Sequence, residues 1–76
     1  MLTSVILMSK ISYNRIKAVL AERGVANNEL AKKIKVSDQT VSAWCTNSKQ
    51  PSIKTLYEIA RYLKIDIREL LVSTKG

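Results

Sequence analysis

Four side chains on one short stretch, Asp38, Gln39, Ser42 and Ala43, have the types and spacing to recognise a flat, polar partner. A glutamine amide donates and accepts at once, so Gln39 can pair with N6 and N7 of adenine. Asp38 can accept from the N4 amine of cytosine, and beside phosphates it also repels wrong partners. Ala43 offers a methyl contact to thymine. Ser42, with Thr40 nearby, can hydrogen-bond phosphate or base. Short side chains let a helix backbone sit close to base edges. A row of bulky charges would suit a solvated face instead, and an ordinary surface helix is the competing reading.

Such a row needs a helix whose other side is buried. At ~100° per residue, turning Val41 and Trp44 inward turns Gln39, Ser42, Ala43 and Thr46 outward, with Asp38 at the edge of that face. The spacing predicts a helix from about Asp38 to Thr46. Ser37 is its N-cap candidate, and Asp38 lies in the first turn, where the helix dipole favours negative charge. Upstream, Leu30, Ala31 and Ile34 share one helical face. They predict a helix from Asn27 to about Lys35, capped by Asn27 or Asn28. Small Ala31 would let the next helix cross close above it, and Val36 would plug the turn. Two helices joined this tightly form a helix-turn-helix, whose second helix can lie in a DNA major groove. Free amides at the start of the first helix of the pair could hold a phosphate. Trp44 could stack on bases, but its phase with Val41 favours packing.

The remaining chain supplies supports. Ile16, Val19 and Leu20 predict a helix from about Tyr13 to Arg23, with Gly24 at its C′ position. Arg15 and Lys17 project from its other side, towards either solvent or phosphate. A further helix starts at the Ser52 cap after Pro51, with Ile53, Leu56, Ile59, Ala60 and Leu63 as its core stripe. Lys54 near its start could reach phosphate. Tyr57, Arg61 and Tyr62 lie off the stripe, at a subunit interface or on the surface. A fifth helix begins with Asp66, which pairs with Glu69 as a capping box, and Ile67, Leu70 and Leu71 complete the core. The expected architecture is therefore all-α, five short helices packed as one domain over residues 13–72. Residues 73–76 are a polar tail. Residues 1–12 stand apart, and three readings stay open: a tail, an arm that packs on a second subunit, or a stretch upstream of a natural start at Met8.

Composition narrows the function. Seventy-six residues allow one domain. A chain this short buries only ~60–65% of its unfolded surface, so stability is marginal. Thirteen Lys/Arg against six Asp/Glu give a net charge of +7, which points to a polyanion. Nucleic acid comes first and an anionic membrane surface second. The apolar run Val5–Met8 is far too short to span a bilayer, so no membrane partner is expected. One Cys and no His leave no zinc cluster and no internal disulfide. Cys45 flanks Val41 on the helical wheel and fits a small packed thiol in a reduced, cytoplasmic protein. With no metal-ligand set, no phosphate-binding glycine loop and no nucleophile beside a base, neither an enzyme nor a cofactor is expected.

One ordered series of motifs carries a resemblance. It runs LA, then VS-x-x-TVS-x-W, then PS, then L-x-x-IA-x-x-L, then D-x-x-x-LL. The segments ELAKKIKVSDQTVSAW and PSIKTLYEIARYLKIDIRELL resemble the lambda-repressor/Cro-like helix-turn-helix family, also called the xenobiotic-response-element family. NRIKAVLAERG resembles that family's first helix. The resemblance covers Asn14 to Leu71. It implies base contacts from Asp38, Gln39, Ser42 and Ala43. It also implies a phosphate contact at Asn27 and a loop along the sugar-phosphate backbone at Asn47, Ser48 and Lys49. Thr40 and Lys54 join these as phosphate candidates. One residue departs from the pattern. The family usually has glycine before Val36, where φ is positive, and Lys35 stands there. Either the turn is strained or its geometry differs.

These readings converge on sequence-specific binding of double-stranded DNA, with transcriptional repression as the expected role. A homodimer, at least on DNA, is expected because one domain offers only a small interface, ~600–1,000 Å². Two alternatives stand beside it. An antitoxin-like or regulatory module would use the same helices on a protein partner and bind DNA weakly. A non-specific architectural binder would hold DNA without site preference, which polar Asp38 and Gln39 disfavour.

Overall fold

The structure is a computed structural model that describes residues 11–75. Four α-helices follow one another: α1 (Ile16–Arg23), α2 (Asn27–Ile34), α3 (Asp38–Cys45) and α4 (Ile53–Leu63). A single 3₁₀ turn, Ile67–Leu70, follows them. The fifth α-helix expected from Asp66 is therefore not formed. Its capping box is present: the Asp66 carboxylate accepts from the Arg68 N–H at 2.8 Å, and Glu69 reaches back to the Asp66 N–H at 3.4 Å. What stops the helix is Leu71, which turns extended (φ −113°, ψ 148°) and forms an antiparallel bridge with Asn14. The same bridge delays α1. Tyr13 and Asn14, expected inside the helix, pair with the chain's far end instead. Arg15 N–H donates to the Leu70 carbonyl at 2.8 Å, and Val72 N–H donates to the Tyr13 carbonyl at 3.0 Å.

The four helices end on related turns: a left-handed residue directly follows α1, α2 and α4 (Gly24, Lys35 and Lys64), and after α3 it comes one residue later, at Asn47. The next N–H then closes back over the last turn: Val25 to Leu20, Val36 to Ala31, Ser48 to Ala43 and Ile65 to Ala60, each at 2.9–3.0 Å. This closure satisfies carbonyls that a helix end leaves unpaired. After three of the helices the closing residue is aliphatic (Val25, Val36, Ile65) and packs on the core.

Lys35 thus adopts the strained geometry rather than a different turn, at φ 62° and ψ 49°. A left-handed non-glycine residue costs ~1–2 kcal/mol. Glycine would remove that strain but return ~0.4–1 kcal/mol of freedom to the unfolded chain. The net expectation for Lys35→Gly is stabilisation of ~0.5–1 kcal/mol, a rise of ~4 °C in Tm. A thermal melt checks this, and an unchanged or lowered Tm would contradict it.

The core lies between α1, α2, α4 and the 3₁₀ turn, with α3 laid across it. Ile16, Leu30, Val41, Ile59 and Leu70 are fully enclosed, and Val19, Leu20, Ala31, Leu56, Ala60 and Leu63 surround them. Trp44 is 5% exposed, so it packs rather than offering a stacking face. Two residues expected in the core are outside it. Ile53 is 65% exposed, because it sits in the first turn of α4 at the edge of the stripe. Leu71 is 40% exposed, because extended backbone points it away from its neighbour Leu70. Among the described residues no helix is long and apolar enough to cross a membrane. The expected arm at residues 1–12 falls almost wholly outside the described residues.

Candidate nucleic-acid interface

The outer face of α3 follows from its inner one. Val41 and Trp44 are buried, which leaves Asp38, Gln39 and Ser42 exposed and Ala43 half-exposed on the other side. Ser37 caps the helix: its Oγ accepts from the Thr40 N–H at 3.1 Å. Thr40 Oγ1 lies 2.8 Å from the same hydroxyl, so one of the pair donates to the other. The cap thus holds Thr40 at the helix start, half-exposed.

The start of α2 differs. Its N-cap is Ala26, not Asn27 or Asn28, and no side chain caps its first turn. Asn27 is the first helical residue and is exposed. Its Oδ1 accepts weakly from the Cys45 thiol at 3.7 Å, which ties the start of α2 to the end of α3. Burial pushes the Cys45 thiol above its ordinary pKa, and the charge of Lys17 pulls it partly back. The thiol is therefore mostly protonated at neutral pH, and it serves as a packed donor.

The loop after α3 divides the proposed phosphate contacts. Lys49 is exposed. Ser48 is exposed too, with its Oγ donating to the Ala43 carbonyl at 3.2 Å and lying 3.0 Å from Thr46 Oγ1. Lys54 is exposed on the first turn of α4, which Ser52 caps. Asn47 is engaged elsewhere. Its Oδ1 accepts from the N–H groups of Tyr13 at 2.8 Å and Asn14 at 3.0 Å, and its Nδ2 donates to the Asn14 carbonyl at 3.2 Å. Its side chain holds the chain's upstream segment, which leaves Ser48 and Lys49 as the loop's outward groups. Arg15 is engaged as well, donating from Nη1 to the Glu69 carbonyl at 3.0 Å and lying 3.6 Å from Glu22.

Asn14 is the residue that sequence reasoning missed. It is buried at 4% exposure. Its Nδ2 donates to the Trp44 carbonyl at 3.0 Å and to Gln50 Oε1 at 2.8 Å, and its Oδ1 accepts from the Ile16 N–H at 3.0 Å. Gln50 in turn donates to Asn47 Oδ1 at 3.2 Å. Asn14, Asn47 and Gln50 thus fix the end of α3 and its loop against the start of α1. The available signal was an asparagine just before an apolar helical stripe, a residue type that bonds local backbone.

Known proteins share the helix-turn-helix fold. The helix-turn-helix family profile matches residues 16–70. A protein from Bacteroides fragilis, proposed to bind DNA, is 43% identical, over 79% of this chain and 97% of that one, with a TM-score of 0.78. A transcriptional regulator from Listeria innocua is 24% identical, over 84% of this chain and 64% of that one, with a TM-score of 0.67, a likeness of fold alone. No curated protein matches the chain. With the profile spanning every helix from α1 to the 3₁₀ turn, the chain belongs to the helix-turn-helix family.

Proposed function

We propose that this chain is a sequence-specific reader of double-stranded DNA that acts as a transcriptional repressor. One observation carries the reading. The exposed face of α3 holds Asp38, Gln39, Ser42 and Ala43 without a single Lys or Arg. Charge for the phosphates comes instead from flanking positions, Lys49 in the loop and Lys54 on α4. Groups suited to base readout and charges suited to the phosphates therefore sit on different elements. The uncapped first turn of α2, with Asn27, offers amides to one phosphate, and Thr40 and Ser48 add hydroxyls beside it. A domain seated in the major groove excludes other proteins from the same stretch, which is repression by occupancy. Two copies on half-sites about one helical turn apart, ~34–36 Å, would give a two-fold site. Such a reader works in the cytoplasm, without a cofactor.

Selection of bound duplexes from a random pool, at two salt concentrations, tests this. Enrichment of a two-fold site supports it. Binding without enrichment would replace it by an architectural role. Lys49→Ala should weaken all duplexes alike and flatten the slope of log K against log salt by ~1, because one phosphate contact is lost. A changed site preference would contradict that assignment.

A second reading, a regulatory module for a protein partner, is favoured by an open cleft of about 470 Å³ between α2 and α4. Lys33, Lys35 and Arg61 line it, with Tyr62 held by Glu29 at 2.8 Å. No duplex binding at low salt would favour this reading.

A further inference from the structure

The DNA-reading proposal gives the cleft between α2 and α4 no role. Lys33, Lys35 and Arg61 bring three positive charges to it and Glu58 brings one negative, and all four side chains are exposed. Among the described residues none of the four is in an ion pair. Half-buried Ile34 and Tyr62 supply its apolar surface. Tyr62 is tied across to α2: its hydroxyl donates to Glu29 at 2.8 Å, and the Lys33 ammonium lies 5.6 Å from its ring centre. The cleft stands apart from the proposed phosphate contacts. Lys33 is nearly two turns along α2 from Asn27, and Arg61 nearly two turns along α4 from Lys54, ~9–10 Å in each case.

We propose that this cleft binds an acidic segment of a partner protein, one that carries an aliphatic side chain among its carboxylates, while α3 stays free for DNA. Charge selects the sign of the occupant. Arg61 can take a carboxylate on two parallel hydrogen bonds, and Lys33 and Lys35 add point charges from α2 and its turn. The lining selects the class. Small-molecule pockets are mostly apolar and enclosing, whereas four of these six lining side chains are charged and the cleft is open. Nucleic acid brings phosphates, which Glu58 repels. A peptide can answer Glu58 with an amide or a basic residue and still pair its acids with the cations. Ile34 and the fixed Tyr62 ring then receive the aliphatic side chain. The cleft also gives a use to Lys35, whose charge stands in a left-handed turn that glycine would relieve. The inference rests on the protein-partner reading for the class of occupant, and it goes beyond that reading in letting DNA and protein bind at once.

Selection from a random peptide library displayed on phage, against the full chain, tests this. Enriched peptides should be acidic with an aliphatic residue, and they should shift the amides of 33–35 and 58–62 in the wild-type protein. Their Kd should be ~10–100 µM and should weaken with salt, because each exposed ion pair contributes little. Lys35→Glu with Arg61→Glu should weaken them by ~10-fold or more and turn a repeated selection towards basic peptides. Lys35→Gly, expected above to stabilise the fold, should weaken them by ~3-fold, a loss that unfolding would not explain. Lys49→Glu with Lys54→Glu carries the same charge change. It should abolish duplex binding and leave peptide affinity within ~2-fold, because screened charges act locally. No enrichment, or enriched peptides without acidic residues, overturns the proposal. Shifts confined to another surface overturn it as well, and leave the protein-partner reading standing without the cleft. Tighter binding of inorganic pyrophosphate at the same amides would make the cleft a small-anion site, and duplex-induced shifts there would make it a nucleic-acid contact; either result overturns the proposal. A chain that binds the peptides in the cleft but no duplex would sink the DNA reading and leave the occupant assigned.

Discussion

Replacing Asn14 by alanine lowers the melting temperature by on the order of 15 °C. The change removes an acceptor from the buried Ile16 N–H and donors from the Trp44 carbonyl and Gln50 Oε1. An unsatisfied buried group costs ~1–3 kcal/mol, and the loosened partners raise the total to ~2–4 kcal/mol. The Trp44 carbonyl keeps one bond, from the Asn47 N–H at 3.0 Å, so the orphaned Ile16 donor dominates. A domain of this size has only ~4–11 kcal/mol in all. Asn14→Asp restores the acceptor but not the donors, and it sets a carboxylate against the Trp44 carbonyl, so it should recover little at neutral pH. Thermal melts of both variants check the argument. An alanine variant that melts within a few degrees of the native chain would show the network to be dispensable.

Gln39→Ala, by contrast, leaves the melt unchanged and erases preference at one base position. Gln39 is exposed, and a surface change of this kind moves stability by under ~0.5 kcal/mol. Its loss from a base edge costs ~1–3 kcal/mol of discrimination, about 5- to 150-fold. Total affinity should fall less than selectivity, since phosphate contacts supply much of the binding. Selection from a random pool reads both at once. An unchanged consensus would remove Gln39 from the reading face. A uniform loss across all positions would make it a phosphate contact.

The two variants mark what the sequence made legible and what it did not. The face of α3 was readable because it follows from periodicity: once Val41 and Trp44 point inward, Gln39 and Ser42 must point out. The Ser37 cap and the Asp66–Glu69 pair were readable because caps are local chemistry. The Asn14 network was not, since it joins residues thirty or more positions apart, and no short-range pattern encodes which asparagine faces which. The same long-range pairing explains the missing fifth helix. Leu70 and Leu71 look like one apolar step of a helix, but the chain becomes extended there to meet Asn14. Ile53 shows a milder limit. Helical spacing placed it with Leu56 and Ile59, yet the first turn of a helix has no preceding turn to pack it against the core.

The bridge between the start of α1 and the end of the 3₁₀ turn also sets an order of events during synthesis. Helix α2 packs on its neighbour α3, α1 packs on α3 and α2 on α4, and all four are made before Leu70. Leu70, fully buried, and its carbonyl bond to the Arg15 N–H belong to the last part of the domain to be made. Long-range contacts of this kind form late, because the intervening loop must be ordered first. At ~5–20 residues per second the ribosome holds α1 for seconds without its partner. A chain interrupted before Leu70 would lack that seal over the core and the pairing partner of the segment that holds Asn14. Interrupted translation would thus yield fragments that do not compete for the intact protein's sites.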